Sequence, residues 1–364
     1  MAPVAGAEND RSYQSGSLDG PKTPHYPRVK SQLLAPGGDD ASLFDQSKTR
    51  WYSVGMSFGV MFHHFHSEDH LARPGSIGTD DLDRMISYLR KRFEILDPDV
   101  FLEKLLKGTL KATETVLTFD DSLLSQFDVA LPVLEEQGIK GLFNVYSSVF
   151  TGNPDPLELF AIFRASEYPD FDEFWSVFLS TAEHLEPGSK RRLSEEFPAE
   201  WLATFLFYTD NERKFRFFRD RILGKEKYDF IMMHLISESS RFTIEEAVRN
   251  AWMGSSHLQS LVSGGHAIGL HSHTHPTEMA SLSEENQRGE YLKNKNWLED
   301  NLQVQPDWVA HPCGSYSEVT LKILGELGVA GGFRSSLTPG NFGSPLEVPR
   351  EDHANLMKKV NQKN

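Results

Sequence analysis

Asp120 and Asp121 stand side by side at the end of the apolar run Thr115-Val-Leu-Thr-Phe119. Two carboxylates directly after a β-branched and aromatic stretch cannot both be buried unless each has its own partner. A strand end that opens into a loop is where an α/β enzyme keeps its reacting groups. A second apolar run, Gly265 to Leu270, ends in a cluster of imidazoles: His271, His273 and His275, followed by Pro276. One carboxylate and two imidazoles can hold a divalent metal such as zinc and leave a position open for water. The other carboxylate is then free to act as a base. Spacing alone leaves the ligating imidazoles open. On a helix, 271 and 275 share a face and 273 points away, whereas on a strand all three share one.

The elements around these runs must bring them together. Strands are expected at Met56–Phe62, Glu114–Phe119, Ile139–Tyr146, His266–Leu270, Asp307–Ala310, Val329–Phe333 and Leu346–Val348. Helices are expected between them. Thr79 is placed to N-cap one whose Leu82, Met85, Ile86, Leu89 and Phe93 fall at helical spacing. Others are read at 97–107, at Leu123–Gln137 with a kink or break at Pro132, and at 243–263. Ser281 and Glu284 form a capping box for a helix to Leu302, and Ser317 caps one that Gly328 ends. Strands alternating with helices, without a Gly-rich nucleotide loop, predict a parallel α/β barrel rather than an open sheet. Residues 151–240 break the alternation with aromatics and charges, among them Phe171, Phe174, Trp175, Phe178, Phe205, Phe207, Tyr208, Phe215, Phe217 and Phe218. They read as a helical insertion with its own small core, placed to cap the active site. Residues 1–50, rich in Gly, Pro, Ser and Asp, read as an irregular leader.

Composition narrows the function classes. The 364 residues are 39% hydrophobic and 24% charged, as in a globular protein, with room for one large or two ordinary domains. A formal charge of −15 argues against nucleic acid or an anionic membrane surface as partner. The one cysteine, Cys313, excludes an intramolecular disulfide and a CxxC zinc motif. No apolar run reaches the roughly 18 residues of a membrane span. The N-terminus lacks a basic stretch followed by an apolar core, so a cytoplasmic location is expected. Oligomeric state is not legible.

In this order the motifs resemble those of carbohydrate esterase family four, the NodB-type polysaccharide deacetylases. Thr118-Phe-Asp-Asp-Ser122 is similar to the family's first motif, TFDDG, with Ser in place of Gly. His271-Ser-His-Thr-His275 is similar to the second, HSxxH or HTxxH, and Ala310-His-Pro-Cys-Gly-Ser-Tyr316 to the third, RxPYG or a YPYG variant. The resemblance covers roughly 55–150 and 240–353 and implies a distorted (β/α)7-type barrel, at 51–150 and 241–364, interrupted by the insertion. It implies hydrolysis of an N-acetyl group from an amino sugar, and the cytoplasmic expectation favours a soluble, nucleotide- or lipid-linked one.

Carried over residue by residue, the resemblance makes Asp121, His271 and His275 the ligands of a divalent metal. Zn2+ is expected, with Co2+, Ni2+ or Mn2+ as alternatives. The ion would lower the pKa of a bound water to about 7, leaving Asp120 to act as base. The backbone N–H of Cys313 would hold the oxyanion, and His353 would protonate the leaving amine. The arginine that steadies the base in the family falls on Ala310, so Arg350 or Arg334 is expected in its place. Cys313 stands where an aromatic residue is usual. His63, His64, His311 and Tyr316 are expected to contact substrate. The stretch Met61-Phe-His63-His64-Phe-His66 also raises a second metal cluster, with a pocket-lining strand end as its competitor. Two other functions fit the same chain: an amide or imide hydrolase of this fold acting on a non-sugar, and an inactive glycan-binding scaffold.

Overall fold

The runs of Val, Leu, Ile and Phe that open each expected α/β unit form parallel strands buried on both faces, as crossover helices require. The computed structural model describes residues 57–73, 75–202, 209–337 and 343–362. The leader expected at 1–50 lies outside them, as do Phe205, Phe207 and Tyr208. The strands are β1 (Phe58–Phe62), β2 (Glu94–Ile95), β3 (Glu114–Asp120), β4 (Leu142–Val145), β5 (Ala267–Leu270), β6 (Trp308–Ala310), β7 (Gly331–Phe333) and β8 (Arg350–Asp352). All pair in parallel, in the order β7-β6-β5-β4-β3-β1-β8, with the two-residue β2 attached to β3. Val348 bridges Phe333 of β7 and its chain continues straight into β8, which pairs with β1. This brings the two ends of the sheet together. The fold is a nearly closed barrel of seven parallel strands with helices, as the sequence predicts.

Period two along each strand sorts side chains between the barrel interior and the surrounding helices. Val60, Phe62, Leu117, Phe119 and Phe143 belong to the large core beneath the helices, with Phe119 and Phe143 stacked at 4.7 Å. The alternate residues face inward. Val116, Leu142, Trp308, Phe333 and Val348 pack together, and polar Thr118, Asp120, Asn144 and Arg350 bond to one another. Asp120 is in register with Asn144, and Asn144 with Gly269. A side chain at 269 would put its Cβ 2.4 Å from Asn144 Oδ1, so only glycine leaves room for that asparagine.

The connections depart from expectation where tertiary contacts intervene. The first helix is Thr79–Arg90 with Gly78, not Thr79, as its N-cap, and Asp81 accepts the Gly78 N–H at 3.3 Å. The helix before β4 runs through a π turn at Gln126–Ala130, where Leu131 N–H donates to Gln126 O just before Pro132, which has no N–H to give. The helix expected over 243–263 is two, Ile244–Ala251 and Ser255–Ser263. The break exists because Met253 N–H donates to Ser122 O at 2.9 Å and Trp252 bridges Leu123. Ser283, not Ser281, caps the helix Glu284–Leu302, while Ser281 turns back to Glu278 O. Ser317 caps the next helix, Glu318–Glu326. The last strand is not Leu346–Val348. Residues Pro345–Glu347 make a 3-10 turn and the strand begins at Arg350.

Between β4 and β5 the chain forms the helices Pro156–Glu167, Phe171–Leu185, Ser189–Glu196, Asp210–Phe217 and Gly224–Glu238. Phe174, Phe178, Phe215, Phe218 and Tyr228 pack mainly edge-to-face at their centre, separate from the barrel core.

Candidate metal centre and active site

The loop after β3 turns through two left-handed residues, Asp121 (φ 77°) and Ser122 (φ 57°). The second is the position where glycine would be unstrained. The loop is held at both ends: Gln126 Nε2 donates to Asp120 O, and Ser122 O takes the Met253 N–H. The loop after β5 also uses left-handed residues, Ser272 (φ 65°) and His275 (φ 54°). Glu290 on the following helix ties it down, accepting the N–H groups of His273 and Thr274. His273 turns to Ser147 Oγ and away from the carboxylates. The pair His271 and His275 is thereby selected.

Asp121 Oδ1 lies 3.2 Å from His271 Nε2 and 3.5 Å from His275 Nε2. Both imidazoles are oriented from behind. His271 Nδ1–H donates to Ala310 O at 2.8 Å, and His275 Nδ1–H donates to Asp155 Oδ2 at 2.9 Å. With those protons committed outward, the Nε2 lone pairs face Asp121, the arrangement that metal-ligating histidines share. Asp121 Oδ1 is buried and has no hydrogen-bond partner among the described residues. Burial opposes ionisation of Asp121, yet His271, His275 and His63 outweigh it and hold the carboxyl well below the carboxylate range. Burial likewise disfavours charge on His275, but Asp121 and Asp155 carry it up to about 9. The centre calls for positive charge, and a divalent cation held by these three donors fits it. Asp155 went unread in the sequence. Its place before Pro156 marked a helix N-cap, and one oxygen does cap Leu157 N–H, but nothing local showed that the other reaches His275.

Asp120 is enclosed beside this centre. Arg350 grips it bidentately, Nη1 to Oδ1 and Nη2 to Oδ2, each at 2.8 Å, and Asn144 Nδ2 donates to Oδ1 at 2.8 Å. Arg350 is itself 1% exposed and also donates to Thr118 Oγ1 and to Arg334 O. Of Arg350 and Arg334, Arg350 is the one that meets Asp120, and Arg334 lends its carbonyl to Arg350. Burial pushes the Asp120 carboxyl up, but Arg350, with His271 and His63, overrides it and leaves it at about 2.

The remaining expected residues divide. His63 Nε2 lies 3.8 Å from Asp120 Oδ2. His64 turns to Glu158 of the insertion, Nε2 to Oε2 at 3.2 Å, and Glu158 is paired with Arg73. His353, expected to protonate the leaving amine, is engaged by other groups. It is buried against Phe62, donates from Nε2 to Gly75 O, and is grouped with His63 and Asp352. His311 does not face a pocket either. It is 1% exposed, donates to Leu346 O at 2.8 Å and stacks on Tyr316 at 4.2 Å. Its burial, against the pull of the Leu346 carbonyl, lowers it to about 4. Tyr316 is half-buried and donates to Glu347 Oε1. Cys313 is exposed, in the left-handed region at φ 51°. Local desolvation and the carboxylates of Asp121, Asp155 and Asp120 push its thiol up to about 11, which disfavours the thiolate at neutral pH. A cavity of about 320 Å³ lies among Phe65, Arg73, Ser125, Glu158, Ile162 and Phe242, and none of Asp121, His271 and His275 lines it.

Residues 233–332 match the polysaccharide deacetylase family model. The resemblance drawn from the motifs is borne out by it. The match takes in His271, His275 and the stretch from His311 to Tyr316, while Asp120, Asp121, Asp155 and Arg350 lie outside it. No curated protein matches the chain. Among solved structures, the chain is similar to the deacetylase PplD of Streptococcus pyogenes in complex with acetate, at 18% identity over 83% of this chain and 96% of that one, with a TM-score of 0.47. It is also similar to IcaB from Ammonifex degensii, at 14% identity over 84% and 97%, TM-score 0.49. A de-N-acetylase from Aggregatibacter actinomycetemcomitans follows at 11% identity over 84% and 99%, TM-score 0.49.

Proposed function

We propose that this chain is a metal-dependent hydrolase that removes acetyl from an N-acetylated amino sugar. The reading rests on one observation: a carboxylate and two back-oriented imidazoles converge next to a second carboxylate that an arginine holds in place. Asp121, His271 and His275 would hold the ion, zinc by the nature of the donors. Bound there, it would supply a positive charge to polarise the acetyl carbonyl and to acidify a water. A carboxylate at about 2, as Asp120 is, is ionised at any working pH but weakly basic, so its task is to take a proton already made acidic. Arg350 and Asn144 keep its oxygens aimed. The proton taken at Asp120 Oδ2 has His63 Nε2 3.8 Å away, and we assign to His63 the protonation of the departing amine in place of His353. The backbone N–H of Cys313, on the turn after β6, remains the donor proposed for the oxyanion.

Acetate release from a panel of N-acetylated amino sugars tests the reading. The wild-type chain loaded with Zn2+ should release acetate, and Asp120→Asn, with its metal content unchanged, should be slower by at least about a hundredfold. Equal rates in the two proteins would remove Asp120 from the reaction. No release from any sugar by metal-loaded wild type would remove the deacetylase reading.

A further inference from the structure

His63 has a second set of neighbours, and none of them belongs to the centre described above. It follows β1, Asp352 ends β8, and Met61 and Asp352 face each other across the β1–β8 pair. His353 opens the C-terminal helix His353–Asn361. These three residues offer ligand-type atoms that all lie within 4.8 Å of one another. His353 is 6% exposed and packed on Phe62. Its Nε2–H is committed to Gly75 O at 2.8 Å, which leaves Nδ1 as the lone-pair atom. That Nδ1 is buried, has no hydrogen-bond partner among the described residues and lies 3.7 Å from Asp352 Oδ1. A buried imidazole acceptor without a protein donor is costly, and a cation on its lone pair would satisfy it.

We propose that His63, Asp352 and His353 form a second divalent-cation site, of the zinc class, and that filling it withdraws His63 from the reaction. Two imidazoles and a carboxylate are the donor set of the first centre, and the tautomer of His353 is fixed by a backbone carbonyl as that of His271 is. The two sites share no ligand. Asp352 Oδ1 also accepts the Ala354 N–H at 2.7 Å as the cap of the helix, so this carboxylate is divided between two tasks and the second site is the weaker one. Inhibition through His63 rests on the role assigned to it above, whereas binding of the cation does not.

Calorimetric titration of chelator-treated full-length protein with Zn2+, followed by metal analysis after gel filtration, tests the site. Wild type should bind two ions, the second at least about tenfold more weakly. Asp352→Asn keeps a good helix cap and should bind one. His275→Ala should lose the tight ion and keep the weaker. Zn2+ beyond the first equivalent should inhibit wild type, and Asp352→Asn should need at least about tenfold more for the same loss. A single ion in wild type, two in Asp352→Asn, or loss of both in a folded His275→Ala would overturn the second site. A folded His275→Ala that keeps the tight ion and loses the weak one would overturn it as well, since the tight ion would then not be the one held by the first centre. A weak ion that survives in His275→Ala beside an inert wild type would uphold the site and sink only the deacetylase reading.

Discussion

At the scale of single residues, the two adjacent aspartates are told apart by their partners. Asp120 faces a buried guanidinium, which suits the proton-transfer role proposed for it, whereas Asp121 faces two imidazoles, which suits the ligand role proposed for it. Asp155 belongs with them although it touches only the outer nitrogen of His275. It fixes the ring and raises its basicity, and groups in that position are typically worth about 10–100-fold in metal affinity. Asp155→Ala should therefore weaken Zn2+ binding by about that factor and lose one helix cap, while Asp155→Asn should restore the cap but not the affinity. Competition against a chromogenic chelator measures both. An unchanged affinity in both variants would make Asp155 a cap and nothing more.

At the scale of elements, strand ends carry the candidate site residues and loops are held by long-range backbone contacts. The break between the helices at 252–254 exists because that segment anchors Ser122 and Leu123, and so sets the path of the chain just after Asp121. His266, at the start of β5, accepts the Gly141 N–H at its Nδ1 and joins β5 to the turn before β4. Burial, helped by Lys140, lowers it from 6.5 to about 4. The folded protein then binds fewer protons than the unfolded chain between those values. Its contribution is whole above about pH 6.5 and is lost as pH falls through the window. Between about pH 7 and about pH 5 this amounts to roughly 2 kcal/mol. His266→Asn keeps an acceptor for Gly141 but cannot titrate there, so its stability should fall less over the same interval. Urea midpoints at the two pH values decide the matter, and parallel losses in both proteins would assign the acid sensitivity elsewhere, His311 first.

At the scale of the whole molecule, the insertion takes part in the site. Asp155, the cap of its first helix, reaches His275, and Glu158 one turn on reaches His64 and Arg73. An ion on His275 must therefore also order the start of the insertion, since whatever binds only the native arrangement stabilises it. Amide exchange over residues 153–167 should slow on adding Zn2+, and the slowing should vanish in Asp155→Ala. Protection confined to the loops after β3 and β5 would mean that the insertion is an independent body merely attached to the barrel.

Much of this was legible in the chain. A β-branched run ending in two carboxylates, and a second ending in spaced imidazoles, are local patterns, and period and capping place them on consecutive α/β units without any knowledge of distant contacts. The same holds for the aromatic insertion, whose own core follows from its composition. What the sequence could not supply are pairings across long stretches of chain. Arg350 meets Asp120 from 230 residues away and Asp155 meets His275 from 120, because closing the barrel sets β8 against β1 and strand pairing sets β4, which Asp155 follows, beside β5. The engagement of His353 by Gly75 and Phe62, and the approach of His63 to Asp120, have the same cause. Adjacency to the final strand said which end of the barrel the residue would reach, but only the register of β8 on β1 decided which side chains point into it.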